Sequence, residues 1–356
     1  MEITNLHKAA ELPGSWDDLA EDYFQTRIFL EHTEKYNPCH QRYYLLFENG
    51  VLQTGAVVYT LRVNLLTFRS SGMVYKMNIA GIPCSVSSGG IPGNRKYVHN
   101  LLNFIASFEK GLLLALNLES GIKKGRMVLG RTLPSVTFEN SFSSWDGYLE
   151  SIRASYRRRI RLLATSGRTL EKKQIPCASF TEEMYRQYLE VLKQSKGKLE
   201  TLTKDFFQHL PPEFHLTVLH QQDIPAGWFI TVHFREKQYF FLGGIDYAMN
   251  RKFNTYFNIL TEIIREGIER GASVIDLGQT AEIPKLRTGA RLNEKYMLGT
   301  HSNLLFRQFL KAGKSFLEYS YHGEENHIFK KSTNLGTQSQ VEKHEATEES
   351  ISKGAL

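Results

Sequence analysis

The sequence predicts an α+β protein made of two tandem domains, each a mixed β-sheet flanked by helices. Three observations carry this. Lys237–His301 reads as strand, loop, long helix, strand, loop, strand, the order of a parallel crossover, which is right-handed by strong default. The first half repeats the same coarse order (hairpin, strand, loop, helix, strand, strand) without sequence identity between the halves. A chain of 356 residues with 41% hydrophobic and 12% aromatic side chains is long and apolar enough for two ordinary domains, and it is not a mainly disordered polymer.

The crossover is the clearest part. Tyr239–Ile245 is an apolar run closing on Gly243-Gly244, as a buried strand should. Phe253, Phe257, Leu260, Ile264 and Ile268 recur at steps of three and four and so share one helical face, while Glu262, Glu266 and Arg270 lie on another. Asn250 or Asn254 can cap the start, and Gly271 stands where a C-terminal stop belongs. Ser273–Leu277 is a short β-rich run. Upstream, Thr181–Leu210 holds two short helices ended by Pro211-Pro212, and Phe214–His220 and Ala226–Phe234 are strands. Downstream, His301–Tyr321 reads as an amphipathic helix with Leu304, Leu305, Phe309 and Phe316.

In the first half, Ser15–His32 is helical, and Arg42–Phe47 with Thr54–Phe68 form a hairpin about Asn49-Gly50. Met73–Ile82 is a third strand, Arg95–Lys110 a helix, Leu112–Leu118 a buried strand, and Met127–Phe138 one or two more. The Ser/Gly/Pro loop Ser85–Asn94 is a plain connection or, through free backbone N–H groups before a helix, a phosphate seat. Ser143–Arg168 is helical. Arg153, Arg157 and Arg161 stand at steps of four and make a basic ridge, widened by Arg158 and Arg159. The ridge is a solvated face or an electropositive wall for an anion. The expected division is therefore 1–142, an arginine-rich linker 143–178, a second domain 179–322, and a disordered tail 323–356 of Glu, Lys, Ser, Thr and Gln.

Several functional classes drop out. Cys39, Cys84 and Cys177 are odd in number and form no C-x-x-C, so neither a disulfide framework nor a zinc knuckle is indicated; a reducing, cytoplasmic setting fits. No H-x-x-x-H occurs and no metal site is expected. G-x-S-x-G, a P-loop and G-x-G-x-x-G are also missing. The N-terminus has early acidic residues and no apolar core, unlike a signal peptide, and the longest apolar run, Leu112–Leu116, is far too short to span a bilayer. A formal charge of +7 suggests an anionic partner, whether a CoA or nucleotide phosphate, RNA or acidic lipid; an ordinary basic enzyme is the alternative.

Three stretches then occur in a telling order: Gly243-Gly244-x-Asp246, Gly271-x4-Asp276-x-Gly278 after the long helix, and Pro284-Lys285-x3-Gly289-Ala290. Over roughly Phe214–Leu310 this resembles the C-terminal catalytic half of the GNAT-superfamily acyltransferases. The nearest resemblance is to BioF2-like or CelD-like acetyltransferase domains, and a more distant one is to Fem-type peptidoglycan aminoacyltransferases.

The resemblance implies two GNAT-like domains, the first degenerate. It implies transfer of an acyl group from acyl-CoA, acetyl-CoA first, to an amine on a sugar, lipid or peptide precursor. The acceptor would be a small molecule or a cell-envelope precursor. The thioester carbonyl would enter between splayed strands, and the CoA pyrophosphate would sit at Met249–Thr255, at the start of the long helix. Gly243, Gly244, Arg251, Lys252 and Asn254 would bind the cofactor; Arg157, Arg161 and Asp246 would face the substrates. Asp276 would serve acid–base chemistry and Lys285 would stabilise the tetrahedral intermediate. The glycines that usually mark the pyrophosphate turn are missing from AMNRKFN, and Thr288 stands where the family usually has an aromatic. Two other readings stay open. One is an aminoacyl-tRNA-dependent Fem-type transferase, although Thr181–Leu210 leaves no room for a coiled-coil arm. The other is a non-catalytic module that uses Arg153–Arg161 on RNA or acidic lipid.

Overall fold

The computed structural model describes residues 1–64, 74–84, 86–195, 200–314, 318–320 and 327–330. In chain order the strands are β1 (Glu2–Leu6), β2 (Arg42–Glu48), β3 (Val51–Asn64), β4 (Val74–Ala80), β5 (Leu112–Leu118), β6 (Val128–Arg131), β7 (Ser135–Glu139), β8 (Glu171–Ile175), β9 (Phe214–Gln221), β10 (Ile224–Phe234), β11 (Lys237–Ile245), β12 (Val274–Gln279), β13 (Arg291–Asn293) and β14 (Tyr296–His301). The α-helices are α1 (Ser15–Leu19), α2 (Arg27–Tyr36), α3 (Arg95–Phe108), α4 (Trp145–Ser151), α5 (Ala154–Ser166), α6 (Glu182–Gln194), α7 (Lys204–Gln208), α8 (Tyr247–Phe253), α9 (Thr255–Glu269), α10 (Glu282–Leu286) and α11 (Leu304–Ala312).

Two seven-stranded mixed sheets result. The first runs β1-β2-β3-β4-β5-β14-β6 and the second β8-β9-β10-β11-β12-β7-β13. Each has one parallel step, β4–β5 crossed by α3 and β11–β12 crossed by α8 and α9; the other pairings are antiparallel. The two orders match position for position, and each sheet has taken one strand from the other half of the chain. β14, the last strand, lies between β5 and β6 of the first sheet, and β7 lies between β12 and β13 of the second. The final strand expected to complete the second half thus completes the first. Local pattern encodes that a segment is a strand; it does not encode which edge the strand pairs with.

Both faces of the first sheet are covered. Tyr44, Leu46 and Val58 pack under α3, and the alternate residues Tyr43, Leu45 and Val57 join a core shared with α6, α7 and the second sheet. In that shared core Tyr23 meets Phe214 with ring centroids 5.2 Å apart and Phe24 meets Phe241 at 5.6 Å. The far face of the second sheet is covered by the apolar side of α9, with Ile259, Ile263, Ile264 and Ile268 buried.

The long helix is broken in two. Asn254 takes a left-handed conformation, φ 51°, so α9 begins at Thr255 and Phe253 belongs to the short helix α8. Asn is among the few residues that adopt this conformation readily. The loop between β4 and α3 lies on β3: Val57 N–H donates to Gly90 O at 2.8 Å and Gly55 N–H to Pro92 O at 3.1 Å. A Cβ on Gly90 would lie 2.3 Å from the Gly81 backbone, so this glycine serves a close approach of two chains. Residues 327–330 fall in the tail expected to be disordered, yet Phe329 bridges to Ile152 and Ile328 is buried. The remainder of that tail, and Phe316, lie outside the described residues. On α11, Leu304, Leu305 and Phe309 are 63%, 70% and 72% exposed, so its apolar side has no cover among the described residues.

Candidate active site

The site begins where the parallel strands part. β11 and β12 pair from Lys237/Val274 to Tyr239/Asp276 and no further. The bend is built by Asp276 itself, whose Oδ1 accepts the Gly278 N–H at 2.6 Å. Gly278 then sits at φ 73°, the left-handed region that glycine enters freely, and the non-glycine residues Thr280 and Ala281 follow at φ 60° and 48°. The β12–β7 register slips at the same place, between Asp276 and Gln279. Phe240–Ile245 of β11 is therefore left without a strand neighbour on that side. In the first sheet β4 ends where its pairing with β5 ends, at Ala80/Ala115, and β5 runs on without it to Leu118. Both openings face one cavity of about 890 Å³, which Gly81 and Asn117 line from one sheet and Gly243 and Leu277 from the other.

A polar wall divides this apolar cavity from a smaller, charged one of about 290 Å³; Ser87, Asn117, Tyr239 and Asp276 line both. Ser87 donates its hydroxyl to Asp276 Oδ2 at 3.0 Å, and Ser88 donates to Asp22 Oδ2 at 2.6 Å. Phe24 N–H donates to Asp22 Oδ1 at 3.0 Å. Burial pushes Asp22 up to about 6, with the Asp276 charge adding to the rise and the Ser88 hydroxyl opposing it. Burial likewise raises Asp276, partly offset by the Gly278 N–H and the Ser87 hydroxyl. Tyr239 lines the smaller cavity with both carboxylates; it is 5% exposed, and its hydroxyl has no hydrogen-bond partner among the described residues. Burial raises its phenol, and both aspartates add to the rise. A buried hydroxyl left unpaired is costly and rare, and one that lines a cavity invites a ligand atom.

Lys285 is delivered from α10, just past the bend. It is 2% exposed, and its Nζ donates to Gln279 O at 2.7 Å. Burial pushes it down to about 8, against the pull of Asp276 and Glu282. Gln279 Nε2 in turn donates to Asn117 Oδ1 at 3.0 Å and to Leu133 O at 2.6 Å, and Asn117 Nδ2 donates to Val86 O at 2.8 Å. The loops of both halves are thus tied together at the cavity wall.

The remaining expected residues are dispersed. Gly243 and Gly244 line the cavity from β11. Asp246 caps α8, accepting the Met249 N–H at 2.8 Å, so its carboxylate occupies the helix start where an anion was expected. Asn250 Oδ1 takes the Tyr256 N–H of α9 at 2.9 Å, and Asn254 Nδ2 donates to Ser166 Oγ at 3.0 Å. Arg251 and Lys252 are exposed. The N–H groups of Met249 and Tyr256 are thus taken up by side chains of the same segment, Asp246 and Asn250. On α5, which packs against α8 and α9, Arg157 is half-buried and donates to Leu149 O at 3.3 Å, whereas Arg158, Arg159 and Arg161 are exposed and form no ion pair among the described residues.

Sequence reading missed Asp22, Ser87, Asn117 and Tyr239. Asp22 sits in a stretch that reads as an ordinary acidic helix face, and Tyr239 as one more apolar strand residue. Ser87 lay inside a loop singled out for its glycines. Among the described residues no group of three or more His, Cys, Asp or Glu is gathered as a metal site, and no helix is long and apolar enough to cross a membrane.

Comparison with known proteins agrees with this architecture. Residues 150–285 match the family described as "Acetyltransferase (GNAT) domain". No curated protein matches the sequence. Among solved structures, the chain is similar to FemX, with a TM-score of 0.56 at 12% identity, over 87% of this chain and 100% of that one. It is also similar to the C-terminal domain of a protein from Agrobacterium fabrum named as a lysylphosphatidylglycerol synthetase, with a TM-score of 0.51 at 9% identity, over 85% of this chain and 95% of that one. The chain has an α+β fold of two mixed sheets, each flanked by helices, similar to that of FemX, and residues 150–285 within it match a GNAT acetyltransferase domain.

Proposed function

We propose that the protein transfers an acyl group from a coenzyme A thioester to an amine, with the thioester carbonyl seated where β11 and β12 separate. One observation carries the reading. The strands part at Tyr239 and Asp276, so an unpaired stretch of β11 backbone, the half-buried Asp276 carboxylate and a phenol without a hydrogen-bond partner among the described residues meet at one cavity. Unpaired backbone donors at a water-poor site are the means by which such a fold polarises a carbonyl.

The two cavities supply two sides. The donor enters the apolar cavity. The amine approaches from the smaller one, where the carboxylates Glu21, Asp22, Glu119, Glu139 and Asp276 outnumber the cations Arg95, Lys237 and Lys295, and Lys295 is itself paired with Glu119. Asp276, on the wall between, takes the proton that frees the nitrogen lone pair. The nitrogen attacks the carbonyl carbon, the C–N bond forms, and the C–S bond breaks as the nitrogen's second proton passes to the departing sulfur. A carboxylate raised from its usual range is a better match for this task near neutral pH than an exposed one. Lys285, a cation on the same cavity wall, favours the oxyanion of the intermediate. For the CoA phosphates, the exposed Arg158, Arg159, Arg161, Arg251 and Lys252 supply positive charge in place of a glycine turn.

The test is thiol release from acyl-CoA with a panel of amines, together with thermal shift. Amine-dependent release that is lost in Asp276→Asn supports the reading. If no acyl-CoA at millimolar concentration raises Tm, the reading fails, because a ligand that binds only the native state must stabilise it.

A further inference from the structure

Alternate residues of a strand face one side of a sheet. On β3, β4 and β5 the side turned away from α3 carries Tyr59, Met77, Ile79, Leu112, Leu114 and Leu116; all six line the large cavity, the first four from a closely packed cluster and Leu114 and Leu116 as half-buried side chains. Further along the same sheet face, the equivalent residues Tyr43, Leu45 and Val57 are covered by the shared aromatic core. A concave, mostly apolar cleft of this size with a few polar groups gathered on one wall is the form that small-molecule sites take. Its volume of about 890 Å³ lies near the top of the range for small-molecule sites, roughly 300–1,000 Å³. An acetyl group would fill two or three water-sized shares of it, each ~30 Å³.

The cavity also has a direction. Leu116 adjoins Asn117 and the polar wall, whereas Leu112 pairs with Met77 at the other end, beneath Leu310 of α11. Leu112 to Leu116 spans about 13 Å at strand rise, the reach of roughly ten carbons joined by ~1.5 Å bonds.

We infer that the acyl group this protein handles is a long unbranched chain, about ten carbons deep in the cavity, with its carbonyl at the polar wall and its tail along β5. This rests on the acyl-transfer reading and names its donor class. The chain can come as an acyl-CoA or as a free fatty acid, and the test separates the two.

The full-length protein is titrated with acetyl-, hexanoyl-, decanoyl- and hexadecanoyl-CoA and, separately, with decanoate. Affinity should rise up to about fourfold per methylene, the worth of burying one CH₂, until about ten carbons, and then level off. Leu114→Trp, and independently Ile79→Phe, should move the preferred length to shorter chains. Equal affinity for acetyl- and decanoyl-CoA overturns the inference and leaves the transferase reading standing. Binding of decanoate without any acyl-CoA supports the chain cavity and overturns CoA as carrier. Binding of none of these probes overturns both.

Discussion

Ser87 donates its hydroxyl to Asp276 at 3.0 Å, and 189 residues of chain separate the two. The carboxylate that the second half contributes is therefore held by a loop of the first half, and the site exists only when both sheets are assembled. Ser87→Ala removes that donor and leaves a half-buried carboxylate with less support for its charge. The acidic limb of the activity–pH profile should move up by about one pH unit, the worth of one hydrogen bond to a charged group, with acyl-CoA affinity unchanged. Asp276→Asn should lower kcat about 10²–10⁴-fold, as removing a general base does, without lowering Tm, because it removes a half-buried charge. Steady-state kinetics across pH and a thermal melt check both.

Asp22 gives a pH dependence of stability with a definite sign. Its carboxyl, normally near 3.8, is lifted by burial to about 6 in the folded chain, so the native state holds this proton more tightly than the unfolded state. The resulting stabilisation is complete below 3.8 and is lost as pH rises through about 6. Asp22→Asn lacks this loss. The stability of the variant relative to the natural chain should therefore grow between pH 4 and pH 7, by up to about 3 kcal/mol. Urea denaturation at closely spaced pH values measures it; a difference that stays flat over that range would show that Asp22 titrates normally.

The parts of the fold set by local pattern were legible, and the parts set by distant pairing were not. The 3.6-residue period of Phe253, Phe257, Leu260, Ile264 and Ile268 and the apolar run Tyr239–Ile245 identify the long helix and β11 from the sequence alone, and with β12 they imply a parallel crossover. Asp276 and Lys285 were visible because motif order marks them. Asp22, Ser87 and Tyr239 become chemical groups only where the fold brings them to one cavity with Asp276, and nothing near them in the sequence records that. The exchange of β7 and β14 is hidden for the same reason: each strand sits in the right order within its own half, and its partner is more than a hundred residues away. The left-handed turn at Asn254 divided a helix whose apolar period runs straight through it.

Lys285 makes the opposite prediction to Asp22. Burial lowers it from 10.5 to about 8, so its contribution to stability is present above 10.5 and is lost as pH falls through about 8. Lys285→Met removes that dependence and also leaves Gln279 O without its donor, a cost of about 1–3 kcal/mol for a buried group. The variant should therefore fall further behind the natural chain in stability as pH is raised from 8 toward 10.5. Its activity loss should appear in kcat more than in KM, because the cation faces charge that develops during the reaction. Loss confined to KM would assign Lys285 to binding alone.

The strand exchange predicts that neither half folds by itself. Residues 1–142 without β14 leave β5 and β6 separated by a missing strand, and they lose Leu298, buried at 1% exposure in the core under α3. Residues 143–330 without β7 leave the edge of β12 open and β13 without its neighbour, and they lose Val136 and Phe138, both fully buried under α9. An open, apolar strand edge favours aggregation over folding. Each fragment expressed alone should show no cooperative melt and little dispersion in its amide spectrum, whereas co-expression should recover a soluble complex that melts as one unit. A fragment 1–142 that melts cooperatively on its own would mean that β14 is a late addition to a sheet already stable without it.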